Sequence, residues 1–165
     1  MTRFHGPLID AARPLRVALA AALATAASAA AAHGTSAPEF HPVQNAPPGM
    51  SLPFSEAVRA GDMLYLSGMI GTDASGKLAA GGIKAEAKQV MDNIGTSLER
   101  NGSSFDRVVQ CTVALADMAD WPAFNEVYRS YFKQHFPARM AFGANALALG
   151  ARVEVQCNAY VGGKR

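Results

Sequence analysis

Two charged residues near the C-terminal end of the chain could carry out chemistry on a small molecule. Arg139 follows Pro137 and Ala138, and Glu154 stands between two valines. The planar fork of a guanidinium can hold a carboxylate through two parallel charge-assisted hydrogen bonds. An ionised carboxylate can accept a proton from a water molecule as that water attacks. Read singly, each residue is more often an exposed surface side chain, so the surrounding elements decide the interpretation.

Alternating hydrophobicity places Glu154 on a strand. In residues 152–161 the apolar side chains share one face and the polar side chains, Glu154 among them, share the other. The carboxylate therefore leaves the sheet on the side opposite the core. Arg139 begins another predicted strand, after the structure-breaking Phe136-Pro137 pair.

The other elements are predicted from periodicity and turn residues. Strands at 55–60 and 63–70 form a hairpin, a helix covers 84–101, a strand covers 108–115 and a second helix follows Asp120. The order β-β-α-β-α-β-β predicts an α+β fold in which two helices pack on one face of one mixed sheet. The polar face left over is solvated, packed against another subunit, or used to line a site.

Asp120 is expected to cap the second helix, with Pro122 in its first turn. Apolar stripes on this helix and on the preceding strand predict buried faces. The strand at 108–115 is expected to bury Val109, Cys111, Val113 and Leu115. The second helix is expected to pack into the core through Phe124, Val127, Tyr128, Tyr131 and Phe132.

The first 32 residues read as a secretory signal peptide rather than as part of the fold. Three arginines precede an alanine-rich run, and small residues continue to Ala32, with cleavage after Ala30, Ala31 or Ala32. The run is too short and too weakly apolar to remain as a membrane anchor. We therefore expect a periplasmic or secreted protein with no membrane association after cleavage. Residues 33–52 read as an extended arm or linker, and residues 53–165 as one domain.

Charge and composition argue against the binding of nucleic acid, a metal ion or a cofactor. Removing residues 1–32 takes away three of the 15 basic residues and one of the 13 acidic residues, which leaves 12 of each. A neutral chain without a basic track is not expected to bind nucleic-acid phosphates. The two cysteines, Cys111 and Cys157, lack the spacing of a zinc site, so no metal and no cofactor is expected.

Three blocks of the sequence resemble the RidA/YjgF family of reactive-intermediate deaminases, which is also labelled endoribonuclease L-PSP. They are PFSEAVRAGDMLYLSGMIG, FNEVYRSYF and PARMAFGANALALGARVEVQCNAYV, within residues 53–161. The resemblance implies a chorismate-mutase-like fold and a homotrimer with clefts between subunits. It also implies binding of small carboxylate ligands and hydrolysis of 2-imino or enamine acids to keto acids and ammonia.

The same resemblance assigns roles to individual residues. Arg139 matches the arginine that holds the substrate carboxylate, and Glu154 matches the glutamate that positions the attacking water. Four further positions match residues that bind or line the ligand: Phe54, Ser67, Gly68 and Asn125. Phe54 stands where many members have tyrosine, and Ala141 stands where many have cysteine. These departures leave open a second function, a non-catalytic trimeric protein that binds small carboxylic acids.

The family topology places the strands of Cys111 and Cys157 side by side. Two buried thiols are the expectation there, because a disulfide requires directly opposed positions with Cα atoms no more than about 7 Å apart. A cross-strand disulfide is the alternative.

Overall fold

The computed structural model describes residues 37–44, 49 and 51–162. The predicted signal peptide, residues 1–32, lies outside the described residues. The elements in chain order are β1 Glu39–His41, β2 Ala57–Ala60, β3 Met63–Leu66, β4 Met69–Ile70, α1 Ile83–Arg100, β5 Val108–Leu115, α2 Trp121–Arg129, β6 Ala138–Gly143 and β7 Val153–Tyr160. Helix α1 and strands β5 and β7 lie within a residue or so of their predicted positions.

The strands form one mixed sheet in the order β1-β2-β3-β7-β5-β6, and β4 also pairs with β7. Strands β5 and β6 run parallel, whereas the other pairs are antiparallel. Both helices bury their apolar stripes against the same face of this sheet. The predicted α+β fold is confirmed, and β1 lies inside the segment 33–52, where it pairs with β2 as an edge strand.

Glycines mark the turns and breaks between elements in the first half of the fold. Gly61 adopts a left-handed conformation, with φ of 59°, in the predicted hairpin turn between β2 and β3. The predicted strand at 63–70 is interrupted at Ser67 and Gly68, which separate β3 from β4. Gly102 follows α1 with φ of 75°, the position at which glycine commonly ends a helix.

Helix α2 buries Phe124 and Tyr128 as predicted, but it ends at Arg129. Tyr131 and Phe132 therefore follow the helix, and both rings pack against Phe105 with centroids 5.2 and 5.5 Å apart. Asp120 stands at the N-cap position without a side-chain capping bond. It instead accepts hydrogen bonds from the Arg152 guanidinium, with N–O distances of 2.9 and 2.7 Å. The prediction that Asp120 caps the helix was wrong, because an ion pair takes its carboxylate.

The predicted alternation of β5 fails at its first residues. The pairing of β5 with β7 shifts register between Val108 and Gln110. As a result Val108 is 8% exposed and Val109 is 46% exposed, which reverses the expectation that Val109 is buried. An added residue in one strand of an antiparallel pair turns the following side chains to the other face.

Cys111 and Cys157 form a disulfide, so the expectation of two buried thiols was wrong. The cysteines are directly opposed partners on β5 and β7, and their Cα atoms are 4.1 Å apart. The disulfide therefore joins the neighbouring strands β5 and β7 within the buried core.

Replacing both cysteines with alanine is expected to lower the free energy of unfolding by about 2–5 kcal/mol, because the disulfide closes a long loop of the unfolded chain. The cysteines are 46 residues apart in sequence. Urea unfolding of protein purified from an oxidising compartment measures the change. Two free thiols in the unfolded, unreduced wild-type protein would contradict the disulfide.

Candidate functional site

The six predicted site residues fall into two groups on one chain. The first group, here called the arginine half-site, contains Arg139 and Asn125. The second, the glutamate half-site, contains Glu154 and the adjacent Gly68, with Phe54 and Ser67, which line a cavity together with Gly68.

Arg139 extends towards helix α2. On β6 it pairs in register with Cys111 of β5, so its side chain leaves the sheet on the face that the helices cover. Its Nη1 donates a hydrogen bond of 2.9 Å to Asn125 Oδ1. The guanidinium carbon lies 4.7 Å from the ring centres of both Trp121 and Tyr128. A guanidinium has five N–H donors, so most of its hydrogen-bonding capacity is still available for a ligand.

A cavity of about 340 Å³ opens beside this guanidinium, lined by Asn125, Tyr128, Arg129, Phe136, Pro137 and Arg139. Because the guanidinium can only donate, the Asn125 oxygen faces it and leaves the amide N–H₂ group as a donor. Burial raises the pKa of Tyr128 to about 12, against the opposing effect of the Arg139 charge. The Tyr128 hydroxyl is thus protonated at neutral pH, and it has no hydrogen-bond partner among the described residues. This end of the site presents positive charge and N–H donors, which suit an anionic group.

Glu154 lies on the other face of the sheet. Its neighbours on β7, Val153 and Val155, point into the core, so the carboxylate leaves on the face that the helices do not cover. Glu154 pairs with Ile70 of β4, just after the interruption at Gly68. A Cβ atom at position 68 would overlap the Glu154 carboxylate. Glycine at position 68 therefore makes room for the Glu154 carboxylate.

Ser67 organises the segment before β2. Its hydroxyl donates a hydrogen bond of 2.6 Å to the Ser55 carbonyl, and its backbone N–H donates one of 2.9 Å to the Glu56 carbonyl. The adjacent Phe54 ring is 53% exposed. The hydroxyl proton of Ser67 is thus engaged, and only its lone pairs can meet a ligand. Phe54, Ser67 and Gly68 also line a cavity of about 450 Å³ that continues along α1 to Arg100.

Within one chain the two half-sites do not meet, because Arg139 and Glu154 leave opposite faces of the sheet. The structure brings Arg139 to Asn125 and Glu154 to Gly68, but it does not bring the arginine to the glutamate. Since β6 is an edge strand, Arg139 lies where another copy of the chain can approach. Both groups can act on one ligand only if separate copies contribute them.

Sequence reasoning missed the two aromatic contacts of Arg139. The aromatic stripe of α2 predicted core packing, which Tyr128 fulfils with 3% exposure, and Trp121 was not singled out. The spacing of these residues in the sequence could have indicated the contact. Trp121, Asn125 and Tyr128 are four and three residues apart, which places them on one face of a helix.

The described part of the chain contains no group of three or more histidine, cysteine, aspartate or glutamate side chains placed to hold a metal ion. No helix within residues 37–44, 49 and 51–162 is long and apolar enough to cross a bilayer.

The sequence profile described as Endoribonuclease L-PSP matches residues 44–161. The human 2-iminobutanoate/2-iminopropanoate deaminase is 45% identical over 116 residues, which are 70% of this chain and 85% of the human protein. The chain belongs to the RidA/YjgF family.

Solved structures of the RidA/YjgF family share this fold. RidA of an Antarctic Psychrobacter species superposes with a TM-score of 0.67 at 33% identity, over 74% of this chain and 99% of that one. YyfA of Yersinia pestis, a Rid-family protein, gives a TM-score of 0.70 at 32% identity, over 76% of this chain and 100% of that one. These similarities confirm the fold of one mixed sheet with two helices that the sequence resemblance implied.

Proposed function

We propose that this chain is a deaminase that hydrolyses small 2-imino or enamine carboxylic acids to 2-keto acids and ammonia. The observation that carries the proposal is the Arg139 guanidinium, which is held by Asn125 and has free N–H donors beside a small cavity. The deaminase activity printed in the name of the 45% identical human protein supports the same reaction.

The chemistry assigns one step to each half-site. Arg139 holds the carboxylate of the substrate through paired charge-assisted hydrogen bonds, and the Asn125 amide can add a donor. Glu154 takes a proton from water as the water oxygen adds to the C=N carbon. That proton passes to nitrogen and gives a carbinolamine. The carbinolamine hydroxyl proton then moves to the same nitrogen through Glu154, the C–N bond breaks, and ammonia leaves as the carbonyl forms. Water supplies the keto oxygen, so no cofactor or metal is needed.

The ligand cleft is proposed to lie between subunits of a homotrimer. The sheet face that the helices leave open carries large exposed side chains, Tyr65, Met140 and Phe142. At its centre, Asn158 donates a hydrogen bond of 2.8 Å to Gln110 Oε1. An uncovered sheet face with several exposed apolar side chains is typical of an interface between subunits. A second copy is the proposed occupant, because only another chain can bring a Glu154 to an Arg139.

Solution mass tests this assembly. Light scattering of the purified chain without residues 1–32 is expected to give three times the subunit mass. A fully active monomer would contradict a site shared between subunits.

Export to the periplasm or medium is also proposed. The disulfide supports this localisation, because disulfides persist in oxidising compartments and are rare in the reducing cytosol. Fractionation of cells that express the full chain, with N-terminal sequencing of the product, tests it. A product in the cytosol that retains residues 1–32 would overturn it.

A non-catalytic binding protein is the second candidate, because Phe54 and Ala141 leave the site with fewer polar groups than many family members have. Two measurements, an oxidase-coupled assay and calorimetry, distinguish the two functions. An amino-acid oxidase generates imino acids in the presence of the chain, and keto-acid release is followed. Acceleration supports the deaminase. Tight keto-acid binding by calorimetry without acceleration supports the binding protein, and the absence of both overturns the two proposals.

Gly68→Ala is expected to lower the rate of imine hydrolysis by about a hundredfold, because its Cβ displaces the Glu154 carboxylate and a shift of about 1 Å can have this effect. Keto-acid binding is expected to change much less, since Arg139 is untouched. The thermal unfolding midpoint of each variant serves as the folding control. An unchanged rate in well-folded Gly68→Ala would show that Glu154 does not need its present position.

A further inference from the structure

We propose that Trp121 and Tyr128 form an aromatic clamp that positions the Arg139 guanidinium for carboxylate binding. This inference rests on the proposed function, because it assigns to helix α2 the task of preparing Arg139 for its ligand. Both rings are proposed to act through Arg139 and not on the reacting atoms, so both are positioning residues.

The contacts of Arg139 define the clamp. Its guanidinium carbon lies 4.7 Å from the ring centres of both Trp121 and Tyr128, within the usual range of a cation–π contact. Asn125 Oδ1 accepts one of its N–H groups at 2.9 Å. An exposed arginine side chain samples many rotamers, and ordering it upon binding weakens affinity. Two rings and one hydrogen bond therefore restrict the guanidinium before the ligand arrives.

The clamp leaves the Arg139 guanidinium able to bind a carboxylate ligand. Cation–π contacts use the electron-rich faces of the rings, whereas hydrogen bonds to a carboxylate lie in the plane of the guanidinium. A carboxylate partner from the protein would instead occupy those N–H groups and neutralise the charge. Among the described residues no acidic side chain forms an ion pair with Arg139. Aromatic support thus orders the side chain and keeps its charge for the ligand.

The clamp is anchored to the strand that carries Glu154. Trp121 begins α2 directly after Asp120, whose carboxylate binds the Arg152 guanidinium at 2.7 Å. The backbone N–H of Arg152 donates a 2.8 Å hydrogen bond to the buried Glu86 of α1. Arg152 immediately precedes β7, so the start of α2 is tied to the strand that places the acid.

The contact itself can be tested by fluorescence, because Trp121 is the single tryptophan of the chain. Removing a cation from the indole face is expected to change its emission. Arg139→Gln should therefore shift the intensity or wavelength of emission in the ligand-free protein. Arg129→Gln is the matched control, since Arg129 borders the same cavity without stacking on Trp121. Identical spectra for wild type and Arg139→Gln would overturn the clamp.

The effect on binding is tested with Trp121→Leu and Trp121→Phe, using 2-oxobutanoate as the calorimetric probe. Trp121→Leu is expected to raise Kd about tenfold and KM similarly, with kcat changed less, and Trp121→Phe is expected to restore much of the affinity. A lower thermal midpoint with unchanged Kd would indicate a structural role only and overturn the proposal. Weakened keto-acid binding in a chain that does not hydrolyse imines would support the clamp and refute the deaminase function.

Discussion

Arg139→Gln is expected to lower kcat/KM for a 2-imino acid by about a thousandfold. The substitution removes two charge-assisted hydrogen bonds to the substrate carboxylate, each contributing about 1.5–3 kcal/mol. Their loss raises the free energy of every bound state, so keto-acid affinity is expected to fall in parallel. The measurements are steady-state kinetics in the oxidase-coupled assay and calorimetry with 2-oxobutanoate.

Two further variants make the Arg139 result specific. Arg139→Lys keeps the positive charge but lacks the planar fork, so its kcat/KM is expected to fall between those of wild type and Arg139→Gln. Arg59→Gln is the matched control, because Arg59 binds the Gly61 carbonyl in the hairpin, away from both half-sites. Full activity in Arg139→Gln would remove the basis for carboxylate recognition at this position.

Glu154→Gln is expected to lower kcat by about a hundredfold to ten-thousandfold, the usual contribution of a positioned general base. Glutamine keeps the size of the side chain but cannot accept the proton of the attacking water. Keto-acid Kd is expected to stay within a few-fold of wild type, because Arg139 and Asn125 are unchanged. Single-turnover kinetics with enzyme in excess separates this loss of chemistry from a loss of binding.

The matched control for Glu154 is Glu99→Gln, at the exposed end of α1. It should retain the wild-type kcat. If Glu154→Gln also retained it, the water would have to be activated by another group, and the assignment of Glu154 would be wrong.

Local patterns predicted much of the fold because each pattern depends on residues close in sequence. Helix α1 lies within a residue of its prediction, and every apolar residue of β7 predicted to be buried is buried. Val109 was misplaced because the register shift in β5 depends on the pairing partner, not on the strand alone. The disulfide was only the alternative to two free thiols for the same reason, since opposition of Cys111 and Cys157 depends on register between distant segments.

The candidate site was likewise predicted in part: sequence motifs identified its residues, but some of their contacts depend on the assembled fold. The sequence motifs identified Arg139 and Asn125, and the structure places their side chains in contact. The contact of Arg139 with Trp121 arises only because β6 lies parallel to β5 beneath α2, an arrangement that no local pattern encodes. The separation of Arg139 from Glu154 on opposite sheet faces likewise follows from the assembled sheet.

We propose that one subunit supplies Arg139 and a neighbouring subunit supplies Glu154 to the same cleft. Co-expression of Arg139→Gln and Glu154→Gln chains with different tags, followed by purification on both tags, yields mixed assemblies. Selection on both tags removes the homotrimers, and every mixed trimer has one cleft of three with both intact residues, so about a third of wild-type activity is expected. Mixed assemblies no more active than either parent variant would contradict the claim.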